Sequence, residues 1–419
     1  MARLGSSPMR RYMLIGSVLA LTLAGCSGSS DDSSTPAWGT EWSEPDRKAD
    51  RSVEQSPVAL DIIYPPTPVA ATDKKTHLTF EVLTVNVTPV PLNVDQVTVA
   101  ASSAPAEPLR TYRADQIAPN MNRVGDHSVE VNRVLPGEMG VFFVDLALEP
   151  GAAVPPELIA TVAVTADMAA LPVGGPTTVP TPPTSLRMPV FKAPVPMIAP
   201  PVAGDNWGAM EGCCEYPTHH RRGTYSVDGH LVIFERYAID WLQLNGAGLA
   251  YSGPNVKENY FGYGADVLAV GDASVVSVVD GQSENVIGQP QPERSLAEAV
   301  GNHVVIDLGG NVYAVYAHLQ PGSIEVKVGD EVKTGQVLGK LGNSGQSTAP
   351  HLHFHLMDNP NPVLSNPVPF VFDKLEVVGR ANFVVPEETV TSVDFIQPRE
   401  ARTDEMPLSQ IVVNFPKSG

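Results

Sequence analysis

Six consecutive residues, Pro350-His351-Leu352-His353-Phe354-His355, carry an imidazole at every second position. Alternate side chains of an extended strand share a face, so this spacing predicts His351, His353 and His355 on one side and Leu352 and Phe354 in a core. Strands do not favour histidine as packing material, whereas a metal site or a proton relay at neutral pH does. A fourth imidazole, His318, ends a second strand-like run, Val312-Tyr313-Ala314-Val315-Tyr316-Ala317. Eight of the ten histidines fall between residues 219 and 355, so the candidate chemistry is concentrated in one stretch.

That stretch belongs to a chain of 419 residues with 27 Lys+Arg, 46 Asp+Glu, 40 Pro and 3 Cys. The length allows two or three domains, each with its own core. A formal net charge of −19 excludes nucleic acid as a partner, because phosphate-backbone binding needs clustered Lys and Arg. Three cysteines are too few for a disulfide framework. Proline stands at nearly twice its usual share of about 5%, which favours extended and β structure over long helices. At the start, Arg3, Arg10 and Arg11 precede an apolar run from Met13 to Leu23 and the small residues Ala24 and Gly25. This reads as a secretory signal over residues 1–25, too short to span a bilayer, which takes about 20 apolar residues. Leu23-Ala24-Gly25-Cys26 resembles the bacterial lipobox. That resemblance implies lipidation of Cys26 and a cell-envelope protein tethered to a membrane rather than crossing it. Removal of the leader takes the formal charge from −19 to −22.

Residues 26–57, rich in Ser, Gly and Asp, read as a flexible tether. From 58 to 171 the pattern is β: Leu78, Phe80 and Val82 alternate with polar residues, Val97 and Val99 repeat the spacing, and Pro136-Gly137 and Pro150-Gly151 mark turns. Short strands without helical periodicity predict a β-sandwich of immunoglobulin-like type. Residues 172–204 hold ten prolines and read as a semi-rigid linker, or as a strap over a neighbouring cleft. The histidine-rich second domain occupies 205–373. An extension, 374–419, has strand-like pieces that fold back on one of the two domains. The fold class expected throughout is all-β.

Between the two histidine sites run Val328-Gly329-Asp330-Glu331-Val332-Lys333-Thr334-Gly335-Gln336-Val337-Leu338-Gly339 and a Gly/Ser/Thr loop, Gly342-Asn343-Ser344-Gly345-Gln346-Ser347-Thr348, that leads into Pro350-His351. With Tyr316-Ala317-His318-Leu319 upstream, this order resembles the M23 (lysostaphin/LytM-type) zinc metallopeptidases over roughly residues 230–360. The resemblance implies an antiparallel β-sheet peptidase domain, a Zn2+ cofactor, and peptidoglycan cross-links as the substrate. It places His353 and Asp240 as metal ligands, and His318 and His351 as the general base and the stabiliser of the tetrahedral intermediate. Zinc in such a site polarises the scissile carbonyl and lowers the pKa of its water toward 7. The family's H-x-x-x-D motif is broken here, because Arg236 stands where the first ligand belongs in Glu235-Arg236-Tyr237-Ala238-Ile239-Asp240. A guanidinium has no lone pair to offer a metal.

The sequence offers a replacement. Asp228-Gly229 is a two-residue hairpin signal that pairs Val227 with His230. Continuing that register sets residue 219 opposite 238 and brings His219 to the face of Asp240; a bulge would present His220 instead. Two further readings stay open: a degenerate M23 domain that binds peptidoglycan or activates another cell-wall hydrolase, and a passive surface adhesin. Cys213-Cys214 is either a vicinal disulfide or a metal-binding dithiolate.

Overall fold

The computed structural model of the chain describes residues 55–169, 175–214, 218–384 and 389–416. The leader and Cys26 lie outside the described residues. Alternating apolar side chains build two sheets in the N-terminal part. One runs Val58–Ile62, Thr76–Asn86, Met139–Leu148, Met121–Arg123, Asp126–Glu130; the other runs Thr178–Pro180, Glu157–Asp167, Leu92–Ala101, Pro108–Tyr112. Phe80, Val82 and Val144 of the first share one core with Val97, Ala160 and Val162 of the second, which makes the pair a sandwich.

Thr76–Asn86 departs from its sequence pattern in an instructive way. Its polar positions alternate as a solvent face should, yet His77, Thr79 and Glu81 are as buried as Leu78, Phe80 and Val82. The reason is a second layer outside the sandwich. Leu83, Val141 and Phe143 on that outer face pack with Ile233 of the histidine-rich part.

The histidine-rich part is an eleven-stranded sheet, antiparallel in every recorded pairing. At its centre Tyr313–Ala317, Leu352–Met357, Ile239–Gln243 and Gly204–Met210 lie side by side. Tail strands Ile411–Phe415, Leu375–Val384 and Thr389–Arg402 extend the same sheet beyond Gly204–Met210. The proline-rich segment is tied to both parts by short strand pairings. Thr184–Pro189 pairs with Glu157–Asp167 of the sandwich, and Met197–Ile198 pairs with Val371–Phe372. Proline tolerates such edge and strand-end positions because its missing N–H costs no ladder bond there.

Candidate metal centre

Register assembles the site. Asp240 stands directly opposite His353 in one strand pair, and Ala317 stands opposite His353 in the next. His318 follows Ala317 at the strand end with φ of 63°, a left-handed conformation that a non-glycine residue adopts only under constraint from its surroundings. His351 lies just before the strand Leu352–Met357 and packs edge-on against His318, ring centres 4.9 Å apart. His353 Nδ1 is 2.9 Å from Asp240 Oδ1, and His353 Nε2 is 3.0 Å from His355 Nδ1. The face predicted for His353 and His355 is therefore shared, with both side chains buried. His303, by contrast, donates through Nδ1 to the Gly301 carbonyl at 2.8 Å and is not among the described residues lining the cleft.

The hairpin Tyr225–Val227/His230–Val232 has the expected Val227↔His230 pairing, but its register does not continue to residue 219. His219–Arg222 form a helical turn, with the Thr218 carbonyl accepting from the N–H groups of Arg221 and Arg222. That turn, rather than a strand, faces Asp240. His219, His220 and Asp240 bring ligand atoms within 4.8 Å of one another. Burial and partners separate the two imidazoles. His219 is half exposed and paired with Glu211 at 3.2 Å. His220 is buried, 3.5 Å from Asp240 Oδ2 through Nε2, anchored by Nδ1 at 3.0 Å from the Glu211 carbonyl, and edge-on to His353 at 4.8 Å between ring centres.

Arg236, in the slot where the family pattern has a ligand, turns away to Glu81 of the sandwich, its Nε donating at 3.1 Å and its Nη2 completing a two-pronged contact. Cys213 and Cys214 form a disulfide, which removes both thiolates as ligands. Residues that sequence reasoning passed over include Glu211, Glu235 and Glu81; Glu81 was hidden because its strand alternates like a half-exposed one.

Electrostatics fit a cation. Burial alone would raise Asp240, but the charges of His351 and His220 and its contacts with His220 and His353 hold the carboxyl well below its ordinary value. Burial alone would lower His220, yet Asp240, Glu235 and Glu211 push it up to about 10. The pocket thus stabilises positive charge where His220 meets Asp240. His318 is driven well down by burial and then by His351 and His353, and His351 is lowered mainly by burial, so both are neutral at pH 7. His355 is also pushed well down, by burial and then by His353. Among the described residues, nothing partners the buried His318 Nδ1 and His355 Nε2. Two imidazoles and a carboxylate suit a divalent ion of borderline softness. These groups line a cleft of about 360 Å³, to which none of the described residues 175–204 contributes.

The sequence profile described as Peptidase family M23 matches residues 260–365. The chain carries an M23 peptidase domain. His318, His351 and His353 fall inside the matched segment of the M23 domain, whereas Asp240 and the His219–Arg222 turn precede it. The domain is similar to glycyl-glycine endopeptidase ALE-1 of Staphylococcus capitis, 50% identical over 58 residues that cover 13% of this chain and 16% of that protein. It is similar also to peptidoglycan DD-endopeptidase ShyA of Vibrio cholerae, 44% identical over 63 residues covering 15% and 14%. The chain spans about one sixth of the length of these curated relatives, or less. Among solved structures, the catalytic domain of lysostaphin from Staphylococcus simulans aligns at 22% identity over 39% of this chain and 88% of that one, with a TM-score of 0.22.

Proposed function

We propose that this protein is a zinc-dependent endopeptidase that hydrolyses peptide cross-links of bacterial peptidoglycan. The observation that carries the reading is the convergence of His220, Asp240 and His353 beside the neutral pair His318 and His351 in one cleft. The substrate class is drawn from relatives described as glycyl-glycine and peptidoglycan DD-endopeptidases. His220, Asp240 and His353 would hold the metal, with His219 as the exposed neighbour able to join them. A zinc ion there supplies Lewis-acid polarisation of the carbonyl and a water of lowered pKa.

The remaining chemistry falls to the chain. His351 Nδ1 lies 2.8 Å from the Ala349 carbonyl, which can only accept, so Nδ1 carries the proton and Nε2 is left as the base. His351 thus takes a proton from the attacking water and returns it to the departing amine. His318, buried and neutral, stands beside it to steady the charge that develops on the carbonyl oxygen. Asp240 keeps its negative charge throughout the neutral range, and its Oδ1, 2.9 Å from His353 Nδ1, stands where the two would share the metal.

The protein would act from the cell envelope, lipid-anchored at Cys26. Such a chain, at −22 once the leader's three arginines are taken from the −19 of the full sequence, gains no electrostatic attraction to an anionic wall, so tethering sets its local concentration. The test uses residues 27–419, with zinc measured and new amino termini counted after incubation with peptidoglycan. Metal-dependent release supports the enzyme. Zinc-free protein that binds the wall without cleaving it supports the degenerate, hydrolase-activating alternative.

A further inference from the structure

The four residues His219-His220-Arg221-Arg222 divide their loyalties. The two histidines face the cleft, and the two arginines reach into the sandwich. Arg222 Nη2 donates to the Pro119 carbonyl at 2.7 Å. Arg221 is fully buried; its Nη1 donates to the Cys214 carbonyl at 2.6 Å and its Nη2 to the Val144 carbonyl at 3.1 Å. The charge of Arg221 is met by Glu81, with Nη2 3.5 Å from Oε1. Glu81 is completely buried and grips Arg236 at the same time.

One sandwich carboxylate therefore holds two guanidinium groups. Arg221 is the next residue after His220, and Arg236 lies four residues before Asp240. Burying an ion triad yields little net stability compared with an apolar contact of the same shape, and it fixes geometry well because an unpaired member is so costly. A device of that kind between two lobes serves placement. It grips two short backbone segments that lead to residues of the cleft, Arg221 beside His220 and Arg236 ahead of Asp240.

We propose that the sandwich is an integral part of the metal centre, with Glu81 as a positioning residue that sets His220 against Asp240 through Arg221 and Arg236. Arg236 then has a task that the loss of an imidazole alone does not explain. It is the handle by which the sandwich holds the Asp240 strand, while the ligand function has moved to a turn held by the same carboxylate. This inference rests on the reading of His220, Asp240 and His353 as metal ligands.

The experiment uses the chain from residue 27 to 419 and reads zinc affinity by chelator competition and the visible spectrum of the cobalt(II)-substituted protein. Thermal unfolding of the metal-free form is followed alongside. Glu81→Gln should keep shape and some hydrogen bonding but weaken zinc affinity about tenfold or more, the range for groups that orient ligands, and should shift the cobalt spectrum. If Glu81→Gln does not fold, Arg221→Lys takes its place, retaining the charge while removing the fork. Leu83→Ala, which loosens the same interface by packing alone, should lower the melting temperature with zinc affinity and spectrum intact. A folded Glu81→Gln or Arg221→Lys variant with wild-type affinity and spectrum overturns the inference. So does Leu83→Ala if it weakens zinc as much as they do, because general loosening would then suffice. A wild-type chain that binds no zinc, or binds it equally after His220→Ala, overturns the ligand reading beneath it and is recognised separately.

Discussion

His219 and His220 are neighbours in sequence with opposite surroundings, and this makes the ligand assignment testable one imidazole at a time. His220 is buried against Asp240 and His353, whereas His219 is half exposed and engaged by Glu211. His220→Ala should therefore weaken zinc by more than about 100-fold, beyond the range for groups outside the ligand set. His219→Ala should leave one zinc per chain in a metal analysis after dialysis; the reverse result would return the role to His219. His355 offers a subtler test. It meets His353 at 3.0 Å, and if it accepts there, the proton of His353 sits on Nε2 and Nδ1 is free toward Asp240. His355→Leu should cost about tenfold in zinc affinity, and His355→Asn, whose amide oxygen still accepts, should recover part of it. Equal losses in both variants would show that only volume matters there.

At the scale of elements, the loop between the strand Val337–Lys340 and His351 is seated by close backbone contacts. Gly345 has φ of 73°, and a Cβ there would stand 2.4 Å from the Ala299 carbonyl oxygen and 2.6 Å from the Gly301 amide. Gly345→Ala should cost about 2 kcal/mol or more in urea unfolding, since left-handed strain and a backbone clash add. It should also lower turnover by shifting Ser347, which contacts the His351 ring. The strands around this loop were legible in the sequence, because the alternation of His351, His353 and His355 has the period of a strand. So was the Asp228-Gly229 hairpin, whose Val227↔His230 pairing is realised. Its extrapolation to residue 219 failed for a physical reason: local i+3 and i+4 bonds from the Thr218 carbonyl wind residues 219–222 into a turn. A four-residue turn is too short to leave a periodic signal. The alternation of Thr76–Asn86 likewise revealed a strand, but it could not reveal that both faces are covered.

The whole molecule shows why that second face is polar. Two lobes meet over His77, Thr79 and Glu81, all three fully buried, with a ring nitrogen of His77 and a carboxylate oxygen of Asp145 within 4.8 Å of Cys214 Sγ in the other lobe. Thr79 Oγ1 donates to the Tyr237 hydroxyl at 3.0 Å, Glu81 binds two arginines, and His77 lies 2.9 Å from Asp145 and 3.1 Å from Asp73. Burial alone would lower His77, but Asp145 and Asp73 outweigh it and raise its pKa above 6.5. The folded chain therefore holds this proton more tightly than the unfolded chain does. Stability from His77 is complete below pH 6.5 and is lost as pH rises through its higher folded value. His77→Gln removes the titration but leaves a donor for one carboxylate. The difference in melting temperature between wild type and His77→Gln, followed from about pH 5 to about pH 9, should be largest on the acid side and shrink toward the alkaline side. Comparing the two proteins at each pH cancels the titration of the histidines in the cleft. A difference that stays flat, or grows with pH, would mean that His77 is buried neutral and that its carboxylate neighbours do not hold the interface through charge.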